Sequence, residues 1–154
     1  MAIISVMRIP FDELKDTLRA ILEKRGMERE DAELSSYLFV SSSADGVYTH
    51  GLNRFPSYVS MIDRGFIDVS AKAVFESRIG VIERWDGKKG PGNINAWNAM
   101  KRALELSKEN GIGLVALHNT NHWMRAGNYG LEAVSNGAIG ILWTNTKPNM
   151  PAWG

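Results

Sequence analysis

Gly113 to Leu117 reads GLVAL and Ile139 to Thr144 reads IGILWT. Both are short apolar runs, and the segment between them, Gly127 to Ser135, has a helical pattern. The combination predicts a strand, a helix and a second strand buried on both faces, which sets the fold class as α/β. Working back from there, Asn93 to Glu109 predicts a helix with Ile94, Trp97, Met100, Ala103, Leu104 and Ser107 on its buried side, stopped by Asn110-Gly111. Val74 to Trp85 alternates apolar and polar positions and breaks at Ser77-Arg78 and Asp86-Gly87, as a hairpin or two short strands would.

The first third is helical in pattern. Leu14, Leu18, Ile21 and Leu22 place a helix from Phe11 to about Arg25, closed by Gly26. A second begins near Arg29, with Ala32, Leu34, Leu38 and Phe39 as its apolar positions, and fades through Ser41 to Ser43 toward Asp45-Gly46. VYTHG is a turn, and Phe55, Val59 and Ile62 share one face of a third helix over Leu52 to Arg64. The expected organisation is a helical N-terminal subdomain, 1–66, followed by part of a mixed sheet with flanking helices, 67–154. No internal repeat is visible.

Composition narrows the chemistry. Eighteen basic against seventeen acidic residues give a net charge of +1, which supplies no field for nucleic acid or an acidic membrane. Cysteine is absent, removing disulfides, thiolate nucleophiles and Cys-based metal sites. No window approaches the ~20 apolar residues of a membrane-spanning helix. Expected partners are small molecules or other protein chains, and the expected location is the cytoplasm.

Two glycine patterns imitate nucleotide-binding loops. Gly90-Pro91-Gly92 stands between a predicted strand and a predicted helix but lacks the third glycine and the later acidic residue, so an ordinary turn is expected. Lys88 and Lys89 beside it keep an anion site at the helix start open. Gly111 to Ala116 has its glycines before the strand rather than after it, and a Rossmann site gains no support.

The three histidines are His50, His118 and His122. The last two sit in LHNTNHWMR at the carboxyl end of the GLVAL strand, the edge where α/β proteins bind ligands, and Arg125 adds a fork suited to carboxylate or phosphate. Each histidine can instead be a hydrogen-bonded structural residue, a reading that weighs most for His118. A metal site through His118 and His122 lacks the glutamate and the helix of a zinc hydrolase, and none is expected. Trp97 and Trp143 are expected as core aromatics; for Trp123 and Trp153 core and stacking roles both stay open. The acidic residues at the helix starts, Asp12, Glu13, Glu28, Glu30, Asp31 and Glu33, are expected to be structural.

Three stretches carry a resemblance: DGVYTHGLNRFP from Asp45, GIGLVALHNTNHWMRAGNYG from Gly111 and IGILWTNTKPNMPAWG from Ile139. In order, and over almost the whole chain from Pro10 onward, they resemble the malate/L-lactate dehydrogenase family of non-Rossmann NAD(P)-dependent oxidoreductases. The resemblance implies reduction of the keto group of a small 2-oxo acid, diketogulonate first, with NAD or NADP as cofactor and NADH favoured; the sequence does not separate this substrate from lactate, malate or cyclic imino acids. It makes His50 the proton donor and puts Asn121 and His122 at the nicotinamide and substrate pocket, with Trp153 and Gly154 near the cofactor. Thr49 keeps the hydroxyl found in relatives, whereas Thr146 and Lys147 depart from the pattern.

The residues agree with that chemistry. An imidazole can donate a proton in reduction and accept one in oxidation. Arg54, four residues after His50, is placed to hold a 2-oxo acid carboxylate in two hydrogen bonds. Family members are longer, so the chain is expected to be an N-terminal portion of an enzyme that acts as a homodimer. The rival of another class is a non-catalytic fragment that assembles with a separate chain.

Overall fold

The computed structural model describes residues 8–145; Thr146, Lys147, Trp153 and Gly154 lie outside the described residues. Helix α1 (Phe11–Glu23) and helix α2 (Arg29–Ala44) come first. Two short 3-10 turns, Tyr48–His50 and Leu52–Arg54, lead into α3 (Phe55–Asp63). Strands β1 (Val74–Ile79) and β2 (Ile82–Asp86) follow, then α4 (Gly92–Asn110), β3 (Leu114–His118) and α5 (Gly127–Ser135).

The helices arise where the apolar period demands them. Leu18 and Leu22 of α1 are buried against α2, whose Ala32, Leu38, Phe39 and Val40 are also buried. Leu18, Leu22, Ala32, Phe39 and Val40 form one apolar cluster with Phe55 and Tyr58 of α3, Met27, Ile67 and Met124. Phe39 packs edge-on against Phe55 at 5.2 Å between ring centroids. Because Ile67 and Met124 join it, this core reaches past residue 66 into the α/β part of the chain. Ion pairs staple its surface: Glu33 holds Lys15 and Arg19, and Lys72 reaches Glu28 and Asp31. The acidic residues among these do serve structure.

The sheet has the order β1-β2-β3. β1 and β2 are antiparallel, and β2 and β3 are parallel, joined by the crossover through α4. The sheet is therefore mixed and flanked by helices, in agreement with the sequence. Helix α4 ends on Gly111, whose left-handed backbone (φ +78°) is open to a residue without Cβ.

Three expectations are corrected. The hairpin turns at Gly80, not at Ser77-Arg78; β1 runs through those residues and carries a bulge between Phe75 and Ser77. On α4, Leu106 is buried while Trp97, Met100 and Ala103 are only half-buried, so the packed face is rotated from the expected stripe. The largest correction concerns IGILWT: residues 139–144 form no strand among the described residues, and Ile139, Ile141 and Trp143 are 92%, 77% and 67% exposed. Trp143 is thus not a core aromatic, and among the described residues β3 is paired on one side only. An apolar run reads the same whether or not a neighbouring strand is there to cover it.

Candidate functional site

The site forms where the end of α2 meets the loop after β3. Serines steer the chain out of α2: the Ser42 hydroxyl donates to the Leu38 carbonyl (2.6 Å), and the Val47 amide donates to the Ser42 carbonyl (2.8 Å). The Leu52 amide then donates to Ser43 Oγ at 2.7 Å, which pins the His50–Arg54 segment against the helix. Gly51 lies so close that a Cβ there would stand 2.1 Å from Ser43 Oγ and 2.8 Å from the Ser43 amide nitrogen. The glycine of the Thr-His-Gly run is therefore a contact requirement.

The loop after β3 is fixed with equal closeness. Asn119 adopts a left-handed backbone (φ +48°) and its side chain donates to Asp86 Oδ1 at 2.9 Å. Lys88, paired with Asp86 at 2.6 Å, and the Asn119 amide hold the Asp86 carboxyl well below its usual range. The Asn121 side-chain nitrogen is directed at the carbonyls of Phe66, Lys89 and Gly90 at 2.7–3.1 Å. A Cβ on Gly92 would stand 2.0 Å from the Asn121 carbonyl oxygen, so the first turn of α4 abuts this loop backbone to backbone. Gly90-Pro91-Gly92 is an ordinary strand-to-helix turn, and the buried Asn93 and Asn95 of the first turn bond to Ser35 and to Thr120. Tyr58 donates to Asn93 Oδ1, and burial pushes its phenol well above the usual range, so it stays a donor.

These two anchored segments bring His50 and His122 together, with ring centroids 5.8 Å apart and planes inclined by 31°. Thr49 Oγ1 contacts His50 Nδ1 at 3.0 Å. His122 Nδ1 accepts the Met124 amide hydrogen at 2.9 Å. Half-burial is the main cause that lowers the His122 pKa, and the positive charges of Arg54 and His50 add to it. Arg54 is exposed and has no ion-pair partner among the described residues. Its charge is felt at His122, and a guanidinium is suited in general to pairing with a carboxylate.

The other polar candidates are engaged elsewhere. Arg125 is bound to Asp45 and so does not offer a free fork. His118 Nε2 contacts Glu76 Oε2 at 2.8 Å on the sheet, away from the other two histidines in role. Glu76, Asp86 and His118 hold ligand-type atoms within 4.8 Å of one another. Arg84 and Lys88 already neutralise the two carboxylates, at 3.0 and 2.6 Å, which makes this an ion-paired sheet face. Trp123 packs on Tyr129 at 5.7 Å. A hollow of about 160 Å³ between α2, α4 and α5, lined by Tyr37, Leu38, Trp97 and Asn128, is bordered by neither His50 nor His122. Ser43, Gly92 and the Met124 amide, which hold the site, left little trace in the sequence; only Gly92 stood out, as part of Gly90-Pro91-Gly92.

Helices packed on a mixed sheet, with two facing imidazoles at one edge, define the architecture as α/β. The chain belongs to the malate/L-lactate dehydrogenase family, whose model matches residues 9–154. It is 45% identical over 148 residues to a 2,3-diketo-L-gulonate reductase of Klebsiella pneumoniae, and 44% identical to one of Escherichia coli, covering 96% of this chain and 45% of each relative. The chain thus spans a little under half the length of the curated relatives it matches. Among solved structures, malate dehydrogenase from Pyrococcus horikoshii aligns with a TM-score of 0.82 at 32% identity over 85% of this chain and 38% of its own. Sulfolactate dehydrogenase from Methanocaldococcus jannaschii aligns with a TM-score of 0.81 at 29% identity, over 84% of this chain and 38% of its own.

Proposed function

We propose that this chain is the proton-donor half of a reductase that converts the keto group of a small 2-oxo acid to an alcohol. The observation that supports it most is the facing of His50 and His122 in a chain of this family, with the charge of Arg54, which has no ion-pair partner among the described residues, felt at His122. Arg54 receives the substrate carboxylate in two parallel hydrogen bonds, which fixes the adjacent keto carbon. His50 gives its proton to the keto oxygen as the carbon is reduced, and recovers one from solvent afterward. Thr49 holds the His50 ring through Nδ1, and so acts on the substrate through that ring.

The cofactor of this reading is a nicotinamide nucleotide, NADH in preference to NADPH. When bound, it supplies the hydride that the carbonyl carbon accepts. The described residues fit its nicotinamide end: Asn121 has its nitrogen committed to backbone, leaving its amide oxygen to accept from a carboxamide N–H, and His122 adjoins it. Trp153 and Gly154 complete the proposed cofactor contacts. The substrate proposed first is 2,3-diketo-L-gulonate, by likeness to the two reductases, with malate- or lactate-type acids as the alternative. A homodimer in the cytoplasm is the proposed working form; among the described residues no helix is long and apolar enough to cross a membrane.

The test joins this chain to the remainder found in its relatives and follows NADH consumption with 2-oxo acids. His50→Ala is expected to lower turnover by about two to four orders of magnitude with cofactor affinity kept. Arg54→Ala is expected to raise KM, and an unchanged KM removes the carboxylate role.

A second reading has its own observation. The pairing of β3 on one side only among the described residues, and the exposed Ile139, Ile141 and Trp143, suit a non-catalytic piece that assembles with a separate chain. NADH binding by the 154-residue chain alone would count against it.

A further inference from the structure

The two facing imidazoles have different partners at Nδ1, and the difference has a chemical consequence. His122 Nδ1 accepts the amide hydrogen of Met124 at 2.9 Å. An amide N–H only donates, so this contact survives only while Nδ1 is unprotonated. The Met124 backbone is left-handed (φ +65°), and Met124 is itself buried in the apolar cluster, so its N–H is held in place. His50 Nδ1 meets the Thr49 hydroxyl at 3.0 Å, and a hydroxyl can donate to a bare nitrogen or accept from a protonated one. His50 therefore changes protonation state without losing its neighbour, and His122 cannot.

We infer that His122 is locked as the neutral imidazole with its hydrogen on Nε2, a fixed hydrogen-bond donor, and that proton transfer falls to His50 alone. The charged groups that face His122 reinforce the lock: Arg54 and His50, from the two 3-10 turns, both oppose a second positive charge, and half-burial acts in the same sense. No acidic group among the described residues offsets them at His122. The lock stands on the Met124 contact; the donor's task rests on the reductase reading, in which His122 Nε2–H steadies the developing negative charge on the substrate oxygen while His50 protonates it.

The lock is tested on the 154-residue chain with ¹⁵N-labelled histidine, following both ring nitrogens of each histidine by NMR. The His122 signals are assigned by their loss in His122→Gln, with circular dichroism showing that the variant keeps its helices. Expected for His122 is an unprotonated Nδ1 and a protonated Nε2 that stay unchanged from about pH 8 to pH 6, below the ordinary histidine value of about 6.5. A hydrogen on Nδ1, or conversion to the imidazolium within that range, overturns the lock. If His122→Gln unfolds, the same spectra of Met124→Ala, which keeps the amide, serve for assignment by shift perturbation and must show the same tautomer.

The task is tested separately in the protein joined to the remainder. His122→Gln places an amide N–H near the Nε2 position and is expected to keep turnover to within about tenfold, whereas His122→Phe loses about a hundredfold. Equal losses in both overturn the donor role. Absence of any reductase activity in the unsubstituted protein refutes the function and leaves the NMR result standing.

Discussion

Gly51→Ala places a methyl group where the structure has no room. Its Cβ would lie 2.1 Å from Ser43 Oγ, 2.8 Å from the Ser43 nitrogen and 3.0 Å from its Cα. The hydroxyl can rotate away only by giving up the Leu52 amide (2.7 Å), a loss of about 0.5–1.5 kcal/mol. The Ser43 nitrogen belongs to α2 and cannot rotate, so the His50–Arg54 segment must retreat from the helix, which by overpacking costs about 1–3 kcal/mol. Together the expected destabilisation is about 1.5–4.5 kcal/mol. With a urea slope of about 2 kcal/mol/M for a chain of this size, the unfolding midpoint falls by about 1–2 M. Tryptophan fluorescence reads it directly. Ser43→Ala alone loses only the hydrogen bond, about 1 kcal/mol, and combined with Gly51→Ala it removes the nearest clash, so the pair is expected to be less damaging than the sum. A Gly51→Ala midpoint within about 0.2 M of the unsubstituted chain, or strict additivity in the double variant, would refute the claim that this contact sets the site.

Two further outcomes follow from neighbouring contacts. Gly92→Ala puts a Cβ 2.0 Å from the Asn121 carbonyl oxygen, and both partners are backbone, so the His122 loop must shift; a loss of about 1–3 kcal/mol in urea unfolding is expected, together with changed His122 imidazole shifts, and an unchanged His122 spectrum would count against the packing argument. Glu83 is 2% exposed, bound by Arg102 at 2.8 Å and by the Trp85 indole, and these contacts, Arg102 first, hold its carboxyl below the usual range. A carboxyl depressed on folding stabilises above its unfolded pKa and loses that contribution as pH falls through its folded one. Glu83→Gln is therefore expected to be less stable than the unsubstituted chain at pH 7 and to converge with it in acid, below about pH 4, in urea titrations at the two pH values. A gap that persists unchanged into acid means the ion pair is not its source.

Periodicity was enough to foresee α1, α4 and α5, because each keeps apolar residues at helical spacing between a turn and a stop, and α5 falls at Gly127–Ser135 as expected. It missed the bulge at the middle of β1, since a bulge depends on the partner strand's register. It misjudged 139–144 for a similar reason: Ile139, Ile141 and Trp143 carry the residue types of a buried strand, and burial is a property of what lies next to them. Spacing alone pairs Arg54 with His50, but it leaves Arg125 equally available, because its partner Asp45 lies eighty residues away in sequence.

By itself, then, the order of residues determined the helical start, the mixed-sheet class, the family and the three histidines as candidates, because these depend on local pattern and on side-chain chemistry. Which two histidines meet, which of Arg54 and Arg125 lacks an ion-pair partner among the described residues and which ring nitrogen can take a proton were decided by tertiary structure. Those properties turn on distances of a few ångströms between segments that are about seventy residues apart along the chain, His50 on one and His122 on the other, and a hydrogen bond has no meaning until both of its partners are in place.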